Sequence, residues 1–333
     1  MKAKALVATD LHQVELASVE LPEPGPGEVL LETLYSCISP GTELRCLAGK
    51  QPGTVFPFIP GYALVGRVIK AGSAAGVAEG SVAFVMGSDY AGKVHLMWGC
   101  HISHAVCAAN KLQIIPAGVD LVEASAAKLA SIPYHGLRLC RPLPEERIAV
   151  IGLGPIGHMA AKLYVLSGAN TVACDVSASR VEQAEAAGIV AVKAGTSLKE
   201  SFAPHFPDGA DAVIDCTGAP ALLESAVEVC RELPWGDHAP PAPRYLVQGS
   251  YADTFSVPYQ AAFLRELSFI LPRSEQNRDR LVIFELIKRG QLSLKSVISE
   301  VSKPADGPRV YRELGERGTK LMTVVFDWSK TAG

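Results

Sequence analysis

The chain predicts an α/β fold, a doubly wound parallel sheet joined to a second, β-rich domain. Three observations carry that prediction. Residues 147–157 read as a short apolar strand, Arg147 to Ile151, running into Gly152-x-Gly154-x-x-Gly157 and then into an Ala-rich helical stretch from Met159 to Ser167. After it, strand patterns at 171–175, 189–192, 211–215, 244–248 and 267–271 alternate with helical ones, as a parallel sheet covered on both faces requires. Before it, residues 1–115 are dense in glycine, proline and β-branched residues, broken into short runs such as Val29 to Leu34, Leu64 to Ile69 and Ser81 to Val85.

In chain order, the N-terminus alternates as a strand from Lys4, and the β-rich run ends where an Ala/Leu-rich helix begins near residue 121. The alternating region follows, then an amphipathic helix from Arg280 to Arg289, and the tail returns to strand composition at Leu321 to Phe326. The expected division is a β-rich domain over 1–125, a nucleotide-type domain over 126–272 and a return to the first domain over 273–333. Pro234 to Pro243 breaks the rhythm and is expected as a stiff exposed loop.

Composition narrows the function. With 333 residues, 48% hydrophobic and 20% charged, the chain can bury two cores. A formal charge of -3 leaves no basic footprint for nucleic acid, and no apolar run has the length of a membrane span or the form of a signal peptide. A small-molecule partner and a cytoplasmic location are expected. The cysteines, at 37, 46, 100, 107, 140, 174, 216 and 230, form no CxxC pair, so neither a disulfide framework nor a four-cysteine zinc site is expected.

The glycine turn reads as dinucleotide-binding. Gly152 permits the tight turn, Gly154 lets the backbone approach a pyrophosphate, Pro155 and Ile156 open the helix whose positive end faces the phosphates, and Gly157 lets helix and strand pack closely. Asp175 ends the next strand 23 residues after Gly152, where a carboxylate binds ribose hydroxyls and repels a 2′-phosphate. NAD is therefore expected over NADP, although Arg180 five residues on pulls the other way.

The order of these features resembles the medium-chain dehydrogenase/reductase superfamily, the zinc-type alcohol dehydrogenases and their zinc-free relatives, across nearly the whole chain. Pro22-Glu-Pro-Gly-Pro-Gly-Glu-Val29 is similar to the family's N-terminal hairpin, and Gly41-Thr42-Glu43 to its Gly-Thr-Asp. Pro60-Gly61, Gly66 and Gly72 match its glycine-studded strand pair, and Asp215-Cys-Thr217-Gly218 its Asp-x-Thr-Gly strand. The resemblance implies a GroES-like catalytic domain built as a partly open β-barrel, a six-stranded Rossmann domain and hydride transfer in the cleft between them. It also implies that Thr217, Gly218 and Gly249 line the cofactor site and that the protein is a homodimer.

The metal ligands are where the chain departs from the pattern. At the positions that correspond to the family's catalytic zinc ligands stand Pro40, Tyr62-Ala63 and Lys128, none a usual zinc ligand, so no zinc is expected. A counter-reading would pair Cys37 with His101 or His104. Without zinc, Lys128 is the candidate for holding a developing oxyanion, and Tyr62 for donating a hydrogen bond or proton. Thr42 fits the family's proton-relay hydroxyl, next to Glu43, but the relay's following histidine is Arg45 here. His101 is a further catalytic candidate, and His135 is expected at the domain junction. Ile38 to Glu43 and the tail Lys320 to Trp328 resemble the zinc-free branch that includes the bacteriochlorophyllide hydroxyethyl dehydrogenases, which implies oxidation of a secondary alcohol to a ketone. Reduction of a conjugated enone or quinone, and a catalytically inactive dinucleotide sensor, remain the alternatives.

Overall fold

The computed structural model describes residues 1–236, 240–251 and 254–330. The chain separates into two units, one formed by residues 1–128 and the segment from 284 onward, the other by residues 129–283. Sequence patterning expected these breaks at 125/126 and 272/273. The second falls later because Asp279, fully buried, accepts hydrogen bonds from Arg138 (2.5 Å) and from His135 (3.1 Å). Those bonds keep residues 273–283 with the second unit, and they place His135 inside it.

In the first unit, β1 (Lys2–Asp10), β2 (Gln13–Glu20) and β3 (Glu28–Cys37) precede a short helix α1 (Pro40–Leu47). Then come β4 (Phe58–Ile59), β5 (Leu64–Ala71), β6 (Val82–Val85), β7 (His95–Leu96), β8 (His104–Ala108) and β9 (Gln113–Ile114). Helix α2 (Leu121–Cys140) starts where Asp120 Oδ1 accepts the otherwise unpaired Val122 and Glu123 N–H groups at 2.9 and 3.1 Å.

The second unit runs β10 (Arg147–Ile151), α3 (Pro155–Leu166), β11 (Asn170–Asp175), α4 (Ala178–Ala186), β12 (Ala191–Lys193) and α5 (Leu198–Phe202). It continues with β13 (Ala212–Asp215), α6 (Leu223–Val227), β14 (Arg244–Val247), α7 (Tyr259–Phe263), β15 (Ser268–Ile270) and α8 (Asn277–Lys288). Among the described residues its strands form one parallel six-stranded sheet in the order β12-β11-β10-β13-β14-β15. The order reverses beside β10, at the switch point where open α/β sheets take their ligands. Helices cover both faces, so Ile148, Ala149 and Val150 are all fully buried and the strand reads as a continuous apolar run. Helix α3 begins earlier than Met159, because Pro155 suits a first helical position, where no N–H is needed. Of the loop expected over Pro234 to Pro243, residues 237–239 lie outside the described residues, and Trp235 is 85% exposed.

The chain then returns to the first unit with β16 (Ile298–Ser302), α9 (Gly307–Gly315) and β17 (Thr323–Asp327). Strand β17 pairs antiparallel with β3, Val325 opposite Cys37, within the order β16-β17-β3-β5-β6-β9, and β8 pairs with β3 as well. A second sheet has the order β2-β1-β4-β7. Leu6, Ile38, Phe58, Phe326 and Trp328 share one core cluster here, each full burial of such a side chain stabilising by about 1.5–3 kcal/mol.

Candidate active site

Two polar constellations stand out, one in each unit. In the second unit, Gly152 follows β10 with φ +90°, a conformation that favours glycine, and Gly154 caps α3 without any side-chain acceptor for the first N–H groups. A Cβ on Gly157 would run into the Gly152 carbonyl, whereas one on Gly154 would meet nothing within 4 Å. Open space over a helix end with unpaired donors is a site for an anion such as a pyrophosphate.

Asp175 ends β11 as expected, but its carboxylate also braces the turn. One oxygen accepts the Leu153 N–H at 2.7 Å and the other the Ser177 N–H at 2.8 Å. Arg180 sits half-buried nearby; burial lowers its guanidinium pKa while Asp175 opposes that shift. Inside α3, His158 is fully buried, and burial first, then the Lys162 and Arg180 charges, push its imidazole down to about 4.

The far wall of this site is organised by Asp215, fully buried at the end of β13. Its Oδ1 accepts Thr217 N–H (2.9 Å) and Thr217 Oγ1 (2.7 Å), and its Oδ2 accepts the hydroxyls of Tyr245 (2.9 Å) and Tyr251. Burial and that carboxylate push both phenols up. Gly218 has φ +65°, and a Cβ there would lie 2.8 Å from the Ser250 carbonyl; one on Gly249 would strike the Gly218 N. The Thr217-Gly218 and Gly249-Ser250 segments therefore pack backbone to backbone, which brings Thr217, Gly218 and Gly249 together.

In the first unit, Ser39 precedes α1 and Pro40 opens it. Gly61, at φ +92°, turns the chain where a Cβ would come within 2.6 Å of the His101 ring, and so delivers Tyr62 into the interior, 7% exposed. The Tyr62 hydroxyl is hydrogen-bonded to Ser39 Oγ, and the Trp98 ring meets the Tyr62 ring edge-on with centroids 5.3 Å apart. Lys128, 4% exposed on α2, holds its ammonium 5.3 Å from the centroid of that ring. A cation over an aromatic face is attracted by the ring's electrons, a contact worth about 0.5–2 kcal/mol. Burial pushes the Tyr62 hydroxyl up to about 12, with Ser39 and Thr42 hydrogen bonds pulling the other way.

Behind this group lies a sealed network. Glu43, fully buried, accepts the Ser39 N–H on Oε1 (2.7 Å), and on Oε2 the Tyr311 hydroxyl (2.5 Å) and His101 Nε2 (2.9 Å). The Trp328 indole N–H, which can only donate, reaches Ser36 Oγ at 2.8 Å. Ser36 in turn lies 2.7 Å from His101 Nδ1, so its own proton is free to point at that nitrogen, leaving the remaining imidazole N–H toward Glu43. Phe326 and Tyr311 close the His101 ring at centroid distances of 5.3 and 6.3 Å. Glu43 and His101, expected among the catalytic residues, thus have their side-chain polar atoms engaged inside the fold; Glu43 holds the Ser39 N–H, and its charge also pushes the Tyr62 hydroxyl up. His104 opens β8 apart from them, its pKa lowered by burial.

Tyr62, Lys128 and Thr42 do come together. Sequence reasoning missed Ser39, whose one signal was a serine placed just before a helix-opening proline, and Tyr311, which no spacing linked to Glu43.

Comparison with known proteins follows the same outline. The zinc-binding dehydrogenase family profile matches residues 155–233. The 2-desacetyl-2-hydroxyethyl bacteriochlorophyllide A dehydrogenase of Cereibacter sphaeroides is 25% identical, over 100% of both chains. A solved structure from Escherichia coli, described as a short chain alcohol dehydrogenase complexed with NADH, superposes with a TM-score of 0.83 at 20% identity, covering 98% of this chain and 99% of that one. A putative zinc-binding dehydrogenase from Sinorhizobium meliloti bound to NADP has the same TM-score at 19% identity, again covering 98% and 99%.

Proposed function

This chain belongs to the medium-chain dehydrogenase/reductase superfamily, and we propose that it is a zinc-independent, NAD-dependent oxidoreductase interconverting a secondary alcohol and a ketone. The observation that carries the proposal is the buried Lys128 ammonium beside Tyr62, two residues at positions where the family resemblance implies zinc ligands.

The donor set does not fit zinc. Proline and alanine offer no side-chain donor, and an ammonium repels a cation. Cys37, the nearest thiol in sequence, is pushed up to about 12 by burial and bonded to Thr323 (3.6 Å), while both His101 nitrogens are engaged. Stoichiometric zinc in protein purified without chelator would overturn this reading.

The residues do fit a dinucleotide. Gly152, Gly154 and the α3 N-terminus would hold the pyrophosphate, and Asp175 the adenosine ribose. The bound nicotinamide supplies or accepts a hydride. The Asp175 carboxylate favours NAD by repelling a 2′-phosphate, and equal or tighter binding of NADPH in a fluorescence titration would reverse that preference. Lys128 then does the electrostatic work of a metal, placing positive charge where the substrate oxygen becomes an alkoxide, with Tyr62 or Thr42 as hydroxyl partner.

Full-length likeness to a bacteriochlorophyllide dehydrogenase supports a 1-hydroxyethyl group on a chlorin-type or other bulky substrate. A panel of secondary alcohols, enones and quinones followed by NADH absorbance tests the reaction class. Turnover of secondary alcohols is expected; turnover confined to enones or quinones, or tight NADH binding with no turnover, would replace it by a reductase or a sensor. No helix among the described residues is long and apolar enough to cross a membrane. We place the enzyme in the cytoplasm as a homodimer, which light scattering on the purified protein checks.

A further inference from the structure

The first unit brings together four groups that no sequence spacing connects: the hydroxyls of Ser39, Thr42 and Tyr62 and the ammonium of Lys128. We propose that Tyr62 exchanges the proton with the substrate oxygen, with Ser39 as its positioning residue and Lys128 as the cation that stabilises its phenolate. This rests on the secondary-alcohol reading above and adds to it the identity of the acid–base group.

The geometry assigns the roles. Ser39 and Tyr62 are both buried, so their mutual hydrogen bond is not shared with bulk water. The backbone of Ser39 is pinned through its N–H to Glu43, which His101 and Tyr311 hold in turn, so the Ser39 hydroxyl is presented from a rigid support. Thr42 also bonds Tyr62 but is only partly buried, which makes it the outlet of the group toward solvent. Lys128, by the Tyr62 ring, adds an attraction for the phenolate that the neutral phenol lacks, against the Glu43 carboxylate and the Cys37 sulfur, which disfavour it.

In the reducing direction a bound dihydronicotinamide would supply the hydride, with both electrons, that the carbonyl carbon accepts. The C=O π pair moves to oxygen, and that oxygen takes the Tyr62 hydroxyl proton. The phenolate left behind accepts a hydrogen bond from Ser39 and regains a proton from water by way of Thr42. The sum is ketone, reduced dinucleotide and one proton giving alcohol and oxidised dinucleotide, and oxidation runs the same steps backward. Because burial keeps Tyr62 protonated through neutral pH, it is ready as the acid for reduction, whereas oxidation must wait for the phenolate.

The test uses Tyr62→Phe and Ser39→Ala in the full-length protein, with any secondary alcohol and ketone that the wild type turns over. Tyr62→Phe should lower kcat by about 10²–10⁴ with NADH affinity unchanged, and abolish the rise of oxidation rate with pH. Ser39→Ala should retain that rise but move it to higher pH, because the phenolate has lost a donor. An absorbance titration of tyrosinate, taken as wild type minus Tyr62→Phe, should show the Tyr62 ionisation, and both Ser39→Ala and Lys128→Met should shift it upward. A Tyr62→Phe enzyme with wild-type kcat and pH profile, or an ionisation indifferent to both neighbours, overturns the relay while leaving the dehydrogenase reading intact. A wild type that turns over no secondary alcohol or ketone overturns that reading, and the relay with it.

Discussion

The glycine turn of the second unit and the polar cluster of the first would serve a ligand by opposite means. Around Gly152 the groups that would meet a ligand are backbone N–H donors, exposed by an absence of side chains and of a capping acceptor. Around Tyr62 they are side chains, held by buried hydrogen bonds that reach as far as Tyr311 and Trp328. A site made of main chain is damaged by adding atoms, and its damage stays local. A site made of buried side chains is damaged by removing atoms, and the damage travels through the network.

The largest expected effect breaks the first site alone. Gly154 has φ -66° and an unobstructed Cβ position, so Gly154→Val should fold and melt like the wild type, yet bind NADH too weakly to titrate. Gly157→Ala is the contrast within the same turn, since its Cβ would meet the Gly152 carbonyl, and it should lose stability as well as binding. Normal NADH binding by Gly154→Val would remove the phosphate assignment.

Next in size is the charge at the second site. Lys128→Met keeps most of the stem's packing and should depress turnover by about 10²–10³ with little change in NADH affinity. Wild-type turnover would show that the buried ammonium has no part in the chemistry, and the contrast between the two sites would collapse.

Between these lies a pH effect on stability. His158 is held near pKa 4 by burial, against an ordinary value of 6.5. Above pH 6.5 the imidazole is neutral whether the chain is folded or not; below it the unfolded chain takes a proton that the native state refuses, so stability falls with pH until about 4. The loss should amount to about 3 kcal/mol across that window. Denaturant melts of wild type and His158→Gln at matched pH test it, and two parallel stability curves would refute it.

The smallest effect separates support from chemistry. Glu43→Gln keeps the shape but turns an acceptor oxygen into a donor amide facing donors, which should cost about 1–3 kcal/mol of stability. Because the support that holds Ser39 through Glu43 is loosened, kcat should fall more than KM rises. A variant with lowered stability and untouched kinetics would make the network purely structural.

Much of this was legible beforehand for a physical reason. Strand β10, the glycine turn and the end of β11 lie within some thirty residues, and their patterns, an apolar run, glycines where the backbone must turn or approach, an acid at a strand end, are local properties. Even there the reading was partial, because Asp175 also braces Leu153 through a bond that spacing does not foretell. The residues Pro40, Tyr62, Ala63 and Lys128, where the family resemblance implies zinc ligands, were equally visible. That Lys128 is buried against Tyr62 and not solvated on its helix was not, since an Ala-rich helix with one lysine reads the same in either orientation.

The sequence by itself determined the class of the fold, the order of its strands and helices, and the turn suited to a dinucleotide, because period, turn and cap are set by neighbours a few residues apart. Only the tertiary structure decided which polar side chains face one another. Ser36 meets His101 across 65 positions, Glu43 meets Tyr311 across 268, and Ser36 meets Trp328 across 292. No periodicity spans such distances. Ser36 meets His101 and Trp328 because β3 pairs with both β8 and β17, and Glu43 meets Tyr311 because α1 lies against α9; burial there forces each donor to find an acceptor.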